Sequence, residues 1–289
     1  MPSFTDQLGR TISLTKAPER IVSLVPSQTE LLHTLGLGEE VVGITKFCVH
    51  PSAWSRSKTR VGGTKDVRPE KIHALQPDLI IANKEENVKE QIDALSHLYP
   101  VWVSDVRTLP EALDMIGSLG ELTGKDPEAR NLTEEIARRF DDLHLLRSDD
   151  PHRRSDAPNA PVNAERQPRT AYFIWRNPWM VAGGDTFIHD MLRRCGLDNL
   201  FGDRLRYPSI NLEYLAEMRC ERVLLSSEPY PFAEKHILEI RAVLPDAKIQ
   251  LVDGEMFSWY GSRLLDAPLY FRRLAAMGKH LENPQIPAL

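Results

Sequence analysis

The sequence has few cysteines, and they lie far apart. Cys48, Cys195 and Cys220 are the three cysteines of this 289-residue chain, and no two of them form a CxxC pair. This spacing excludes a zinc knuckle and a framework of disulfides. Stability must therefore come from an ordinary hydrophobic core, which a chain of this length can bury.

Long apolar runs and an excess of one charge are also missing. No apolar segment approaches the length that crosses a bilayer. The net charge is −5 and no basic stripe is present, so we expect no nucleic-acid partner. Met1 to Asp6 lack the basic and apolar regions of a signal peptide, and taken literally this predicts a cytoplasmic protein.

Signatures of catalysis are absent as well. The sequence contains no Gly-x-Ser-x-Gly elbow, no HExxH, no Walker loop and no dinucleotide-binding glycine fingerprint. The nine histidines are scattered singly, and Cys48-x-His50 lacks further partners at the spacing of a metal site. We therefore expect no catalytic residues, no resident metal and no cofactor, although Cys48 or His50 could contact a metal-centred ligand.

A short helix followed by a buried strand occurs twice in the sequence. The first copy, within residues 62–87, begins its helix at Pro69, has Glu70 in the first turn, and continues into an apolar strand. The second copy begins at residue 211, where Asn211 is a candidate N-cap and Glu213 takes the place of Glu70. The repetition predicts two similar lobes, each with a glutamate at a helix start.

Strands and helices alternate through both halves of the chain, as in α/β proteins. After a first buried strand, Ser27-x-x-Glu30 has the pattern of a capping box opening a helix. We predict two α/β lobes, each with a central, mostly parallel sheet, joined by one long helix. The predicted parts are an N-terminal lobe (1–108), a connecting helix (109–124) and a C-terminal lobe (125–289), with a disordered, proline-rich loop at 148–169.

Several motifs in this order resemble a known family. They are Asp6-x-x-Gly9-Arg10, Pro26-Ser27-x-Thr29-Glu30, Val61-Gly62-Gly63, the Glu70 segment through Ile80, Gly183-Gly184-Asp185-Thr186 and the segment from Cys195 to Phe201. The set resembles the helical-backbone (cluster A-II, class III) substrate-binding proteins of ABC importers, and is nearest to their cobalamin receptors. The resemblance implies an extracytoplasmic protein that captures cobalamin, a ferric siderophore or haem in a ligand cleft between the two lobes.

The resemblance also implies a partner and a docking surface. In this family one glutamate of each lobe forms a salt bridge with arginines of the membrane permease, and by position these are Glu70 and Glu213. The residues themselves leave open a simpler role, since a glutamate in the first turn stabilises its own helix. Thr64 departs from the family, which has an aromatic residue there, and Cys195 lacks the second cysteine that pairs with it in the cobalamin receptor.

The loops that follow the strands hold the candidate ligand-binding residues, because ligands of parallel sheets sit beyond the carboxyl ends of the strands. Trp175, Arg176 and Trp179 suit a flat macrocycle with acidic substituents, and turn-borne aromatics of the second lobe favour a pocket over core. The full set is Phe47, His50, Trp54, Lys84, Trp175, Arg176, Trp179, Tyr230, Phe257, Trp259 and Arg263.

The functional prediction is a monomeric substrate-binding protein that delivers cobalamin or a related metal chelate to an ABC permease. A siderophore or haem receptor of the same family is a close alternative. The absent signal peptide keeps another class open, a cytosolic protein or enzyme that handles corrinoid or haem.

Overall fold

The computed structural model describes residues 2–148 and 166–276, and the chain divides into two compact units. Unit 1 comprises Met1–Glu135 and Tyr260–Arg263, and unit 2 comprises Ile136–Trp259 and Leu264–Leu289. The first boundary falls inside a helix, and a short late segment returns to unit 1. The domain limits expected at residues 108 and 124 stay a prediction. Most of the loop expected at 148–169, residues 149–165, lies outside the described residues.

Unit 1 alternates short strands with short helices. Its strands are β1 (Ser3–Thr5), β2 (Thr11–Ser13), β3 (Ile21–Ser23), β4 (Val41–Ile44), β5 (Thr59–Arg60), β6 (Leu79–Asn83) and β7 (Val101–Ser104). Its helices are α1 (Pro26–Thr34), α2 (Ser52–Ser57), α3 (Pro69–Leu75), α4 (Lys89–Ser96) and α5 (Leu109–Thr123), followed by α6 (Asp126–Ser148), which holds the boundary.

The main sheet of unit 1 is parallel throughout, in the order β5-β4-β3-β6-β7. Every residue of β3, β6 and β7 is buried, as apolar runs covered on both faces require. The chain runs outward from β3 to β5 and then returns to β6 on the other side. This reversal makes the loops after β3 and β6 the switch point of the sheet, where ligands of such sheets bind.

Unit 2 continues with the same kinds of element. Its strands are β8 (Arg169–Trp175), β9 (Trp179–Val181), β10 (Asp198–Asn199), β11 (Ser209–Ile210), β12 (Arg222–Ser226) and β13 (Lys248–Val252). Its helices are α7 (Phe187–Cys195), α8 (Leu212–Glu217), α9 (Glu234–Arg241), α10 (Glu255–Ser258) and α11 (Ala267–Ala276), with a 3-10 turn at Ser262–Leu265 between the last two.

The sheet of unit 2 is mixed, in the order β11-β9-β8-β12-β13 with β10 also beside β8. β8, β12 and β13 are parallel, whereas β9 runs antiparallel to both β8 and β11. The α8–β12 pair repeats the α3–β6 pair, with Leu215 and Ile72 as the equivalent fully buried helix residues. The predicted α/β class and the duplicated helix–strand unit are both confirmed.

One predicted helix start is wrong and two other predicted helix ends are confirmed. α1 begins at Pro26 after Val25, one residue before the expected cap, and Glu30 binds Arg263 instead of closing a capping box. Asn211 does cap α8, since its side chain accepts a hydrogen bond from the Tyr214 N–H. The helix predicted over 109–124 ends at Gly124 in the left-handed conformation.

In the part of the chain that the structure describes, no helix has both the length and the apolar character that a membrane crossing requires.

Candidate functional site

The carboxyl edge of the unit 1 sheet is held together by two buried asparagines. The Asn87 amide donates to the carbonyl oxygens of Thr64 (3.0 Å) and Leu24 (3.4 Å), joining the loops after β5 and β3 to the loop after β6. Asn83 accepts from the N–H groups of Glu85 and Glu86 at 2.8 and 3.0 Å. These hydrogen bonds hold the loops after β3, β5 and β6 together at the switch point.

Lys84 stands on the same edge and is engaged by a neighbouring carboxylate. Its ammonium group is exposed and lies 2.6 Å from Asp105 Oδ2, which also accepts from Arg107 at 3.1 Å. As a ligand-binding residue Lys84 stays a prediction. Any ligand anion it met would compete with Asp105.

The loop after β4 presents one exposed aromatic ring and buries a thiol beside it. Phe47 is 51% exposed, and the Lys46 ammonium lies 5.0 Å from its ring centre. Cys48 is fully buried and within hydrogen-bond reach of Thr29 (3.1 Å) and Thr45 (3.2 Å). Burial raises the pKa of the Cys48 thiol, so it is neutral at physiological pH.

His50 and Trp54 follow Phe47 but differ from it in exposure. His50 is half-buried, and Trp54 is buried in α2, where its ring meets His33 edge-on at 5.1 Å. Over residues 2–148 and 166–276 no three histidine, cysteine or acidic side chains form a group that could hold a metal ion. On the unit 1 edge Phe47 is thus the predicted aromatic most available to a ligand.

Unit 2 carries an aromatic cluster at the carboxyl end of β8. It consists of Trp175, Trp179, Tyr230, Phe232 and His236. Trp179 stacks on Phe232 with the ring planes 2° apart and the centroids 6.0 Å apart, and Trp175 meets Tyr230 edge-on at 5.7 Å. The two tryptophans flank the tight turn between β8 and β9, and Trp175 is the more open of them at 40% exposed.

Arg176, in that turn, is bound to a carboxylate of its own unit. Its guanidinium makes two hydrogen bonds to Glu239, of 2.5 and 3.0 Å, and lies 5.0 Å from the centre of the Trp179 ring. This bidentate geometry fixes the guanidinium against the cluster. Arg176 therefore holds Trp179 in place, and its predicted pairing with a ligand acid stays a prediction.

His236 closes the cluster from the start of α9. Its Nδ1 accepts a hydrogen bond from the Ala233 N–H at 2.9 Å, so the proton of the neutral ring is on Nε2, which lies 3.2 Å from the Tyr230 hydroxyl. Burial lowers the pKa of His236, and the charge of Lys235 lowers it further. The ring is thus neutral, and it orients Tyr230.

Glu228 follows β12 and is a half-buried acidic group of this edge. Its Oε1 accepts from the Ser258 hydroxyl at 2.7 Å and from the Trp259 indole N–H at 2.8 Å. Burial raises the pKa of the Glu228 carboxyl, and the negative charges of Glu255 and Asp253 raise it further. Trp259, only 6% exposed, is held by this contact.

Three predicted site residues of the last stretch lie in different surroundings. Phe257 is in α10, not in a turn, and is fully buried, with its ring 5.1 Å from Tyr172 and 4.8 Å from Phe271. Trp259 is buried beside Glu228. Arg263 belongs to unit 1, where it binds both oxygens of Glu30 at 2.5 and 3.1 Å.

Glu70 and Glu213 occupy equivalent places in the two units. Each is exposed in the first turn of a short helix, α3 or α8, that leads from the sheet edge into a buried strand. Their carboxylates are open to solvent and at the positive end of the helix dipole. Their predicted docking role is not tested by this geometry.

Some contacts of this edge were not evident from the sequence. Phe232, His236, Glu239 and Glu228 bind or stack on residues that lie between 6 and 63 positions away along the chain. Periodicity and motif spacing carry no information about such pairs. The Glu228-Pro229-Tyr230 stretch, directly after an apolar strand, was the signal that pointed to this place.

Comparison with known proteins gives the same fold and a family. The sequence profile of the periplasmic binding protein family matches residues 21–243. An uncharacterized ABC transporter substrate-binding lipoprotein, YvrC of Bacillus subtilis, is 25% identical over 91% of this chain and 82% of its own length. The vitamin B12-binding protein of Yersinia pestis is 25% identical over 73% of this chain and 70% of its own.

A solved structure of another protein has the same fold. The periplasmic vitamin B12-binding protein BtuF of Vibrio cholerae superimposes with a TM-score of 0.73 at 22% identity, covering 91% of this chain and 99% of that one. The family profile covers well over half of the chain and includes β3, the α3–β6 unit and its repeat α8–β12. The chain belongs to the periplasmic binding protein family, as its motifs predicted.

Proposed function

We propose that this protein captures a planar metal chelate of the cobalamin class and delivers it to the permease of an ABC importer. Family membership confirms the prediction of a substrate-binding protein rather than an enzyme. The choice of ligand is supported by the vitamin B12-binding relative and by the aromatic cluster. Haem and ferric siderophores are the alternatives to be compared in the same assay.

The exposed ring of Trp175 is the observation that carries the proposal. It stands at the carboxyl end of a parallel strand, backed by Tyr230, with 40% of its surface open. Tryptophan so placed covers a flat apolar face and contributes strongly to affinity. Phe47 offers a second exposed ring on the corresponding edge of unit 1.

Delivery needs a docking surface, and we assign it to Glu70 and Glu213. Both carboxylates are exposed at equivalent helix starts, as a pair that meets two symmetry-related permease subunits would have to be. An extracytoplasmic location and a monomeric state accompany this assignment.

Absorption spectroscopy tests the ligand assignment. The purified protein is titrated with cyanocobalamin, haemin and a ferric hydroxamate, and the tightest ligand is then titrated into Trp175→Ala. We expect affinity to fall roughly thirtyfold or more, the factor that corresponds to about 2 kcal/mol for an aromatic anchor.

The control is Leu238→Ala, which removes an exposed apolar side chain from α9, 68% exposed. This variant should bind like the wild type. Unchanged affinity in Trp175→Ala, or the absence of binding by every chelate, would contradict the proposal.

A further inference from the structure

The start of α1 is a helix end without a cap, placed at the switch point of the unit 1 sheet. α1 has nine residues and follows the central strand β3 after Leu24 and Val25. Among the described residues no side chain caps it, and its first residue, Pro26, has no N–H to satisfy. The N–H groups of Ser27 and Gln28 have no acceptor within the helix because of their positions in the first turn.

Ser27 adds a buried hydroxyl to these donors. The residue is 3% exposed, and within the described part of the chain its Oγ has no hydrogen-bond partner. Side chains of a helix tilt toward its N-terminus, so this hydroxyl lies at the same end as the free N–H groups. A buried polar atom without a partner is costly, so a hydrogen-bonding group from outside the chain would stabilise the protein here.

Three further residues describe the surroundings of the α1 N-terminus. The Gln28 side chain donates from Nε2 to Ser104 Oγ at 2.5 Å, and its Oε1, like Ser27 Oγ, is buried without a partner among the described residues. Gly261 packs against the helix start so closely that a Cβ there would come 2.7 Å from the Ser27 carbonyl oxygen. The Cys48 thiol, which contacts Thr29 of the same helix, adds no negative charge because burial raises its pKa.

We infer that the N-terminus of α1, with the Ser27 hydroxyl, binds an oxyanion. Two free N–H groups, a hydroxyl and the positive end of a helix dipole together suit a phosphate or a carboxylate. The anion is either a substituent of the transported chelate or free phosphate. The inference rests on the proposed function and deepens it, because it predicts a ligand that carries an acidic group.

Isothermal titration with inorganic phosphate is the first test. The wild type should give saturable heat, and Ser27→Ala should lose affinity by about tenfold or more, as expected when a hydrogen bond to an anion is removed. Ser27→Asp places a carboxylate in the site itself, so it should fold normally and show no phosphate binding. Ser96→Ala, which removes the hydroxyl that donates to Ile92 on α4, is the matched control and should bind phosphate like the wild type.

Two corrinoids distinguish the source of the anion. Cyanocobalamin carries a phosphodiester and dicyanocobinamide does not. If the anion belongs to the ligand, Ser27→Asp weakens the first much more than the second. If it is free phosphate, the two corrinoids are affected alike while phosphate still binds to the wild type.

The inference fails if phosphate gives no saturable heat with the wild type and both corrinoids bind Ser27→Ala and Ser27→Asp as they bind the wild type. In that case chelate binding, and with it the proposed function, would stand. Phosphate binding that depends on Ser27, in a protein that binds no chelate, would uphold the anion site and remove the proposed function.

Discussion

Glu228 is a carboxyl group whose surroundings favour its protonated form. It accepts two hydrogen bonds at one oxygen, from Ser258 and Trp259, yet burial and two acidic neighbours outweigh them and raise its pKa. The folded protein therefore holds a proton on Glu228 at pH values where the unfolded chain has already released it. The free energy of unfolding must then fall as pH rises from the ordinary value of 4.5 through the raised pKa.

Glu228→Gln should remove this fall. The amide stays neutral and keeps an oxygen for Ser258 and Trp259, so we expect the variant to gain stability relative to the wild type as pH rises from about 4 to about 7. Thermal unfolding followed by circular dichroism across that range measures the difference. Glu217→Gln, an exposed change on α8, is the control and should leave the profile unaltered. A constant difference at every pH would show that the group does not titrate abnormally.

Two glycines of unit 2 allow two backbone segments to pack closely. Gly183 and Gly184 donate their N–H groups to the carbonyls of Arg206 and Arg204, each at 2.7 Å, just before α7 begins. A Cβ on Gly184 would lie 1.9 Å from the Gly202 carbonyl oxygen, which is backbone and cannot move aside. The pair of glycines thus lets the loop before β11 lie against the start of α7.

Gly184→Ala should therefore destabilise the protein strongly, by about 2 kcal/mol or more, because backbone has to shift. Gly117→Ala is the matched comparison. Gly117 is exposed in α5, and a methyl group added there would meet nothing within 4 Å, so the change should stabilise by about 0.5–1 kcal/mol through helix propensity. Urea unfolding of both variants measures these values. Equal effects of the two substitutions would refute the packing argument.

At the level of the whole molecule, the two units share one arrangement of a short helix and parallel strands, but their sheets contain different additional strands. Each has three neighbouring parallel strands, β3-β6-β7 or β8-β12-β13, and a short helix with an exposed glutamate leading into the middle strand. The main sheet of unit 2 also contains antiparallel strands, and Trp175 and Trp179 flank the turn that joins β8 to the antiparallel β9. The repeated parts suit a common docking role, whereas the added turn suits ligand binding.

The double variant Glu70→Ala and Glu213→Ala should separate these two roles. Both side chains are exposed, so folding and chelate affinity should stay within about twofold of the wild type, while association with the permease is lost. Co-purification with the permease in detergent, beside the spectroscopic titration, measures both. The exposed pair Glu90→Ala and Glu217→Ala is the control. Retained association in the first double variant would remove the docking assignment.

Local signals made much of the fold predictable. The buried strands, the stop at Gly124 and the cap at Asn211 depend on residues a few positions apart, so hydrophobic periodicity and backbone preference were sufficient. The Ser27-x-x-Glu30 pattern failed for the opposite reason. Glu30 instead forms an ion pair with Arg263, which lies 233 positions away in the sequence. A rule based on neighbouring residues could not predict this contact.

The sequence by itself determined that the chain is α/β, that one helix–strand unit occurs twice, and that each copy has a glutamate in the first turn of its helix. Tertiary packing decided which of the predicted aromatics remain open. Phe47 and Trp175 are exposed, whereas Trp54, Phe257 and Trp259 are buried. Trp175 ends a strand and the other four follow strands in the sequence. Their exposure differs because it depends on which distant segments pack against each ring.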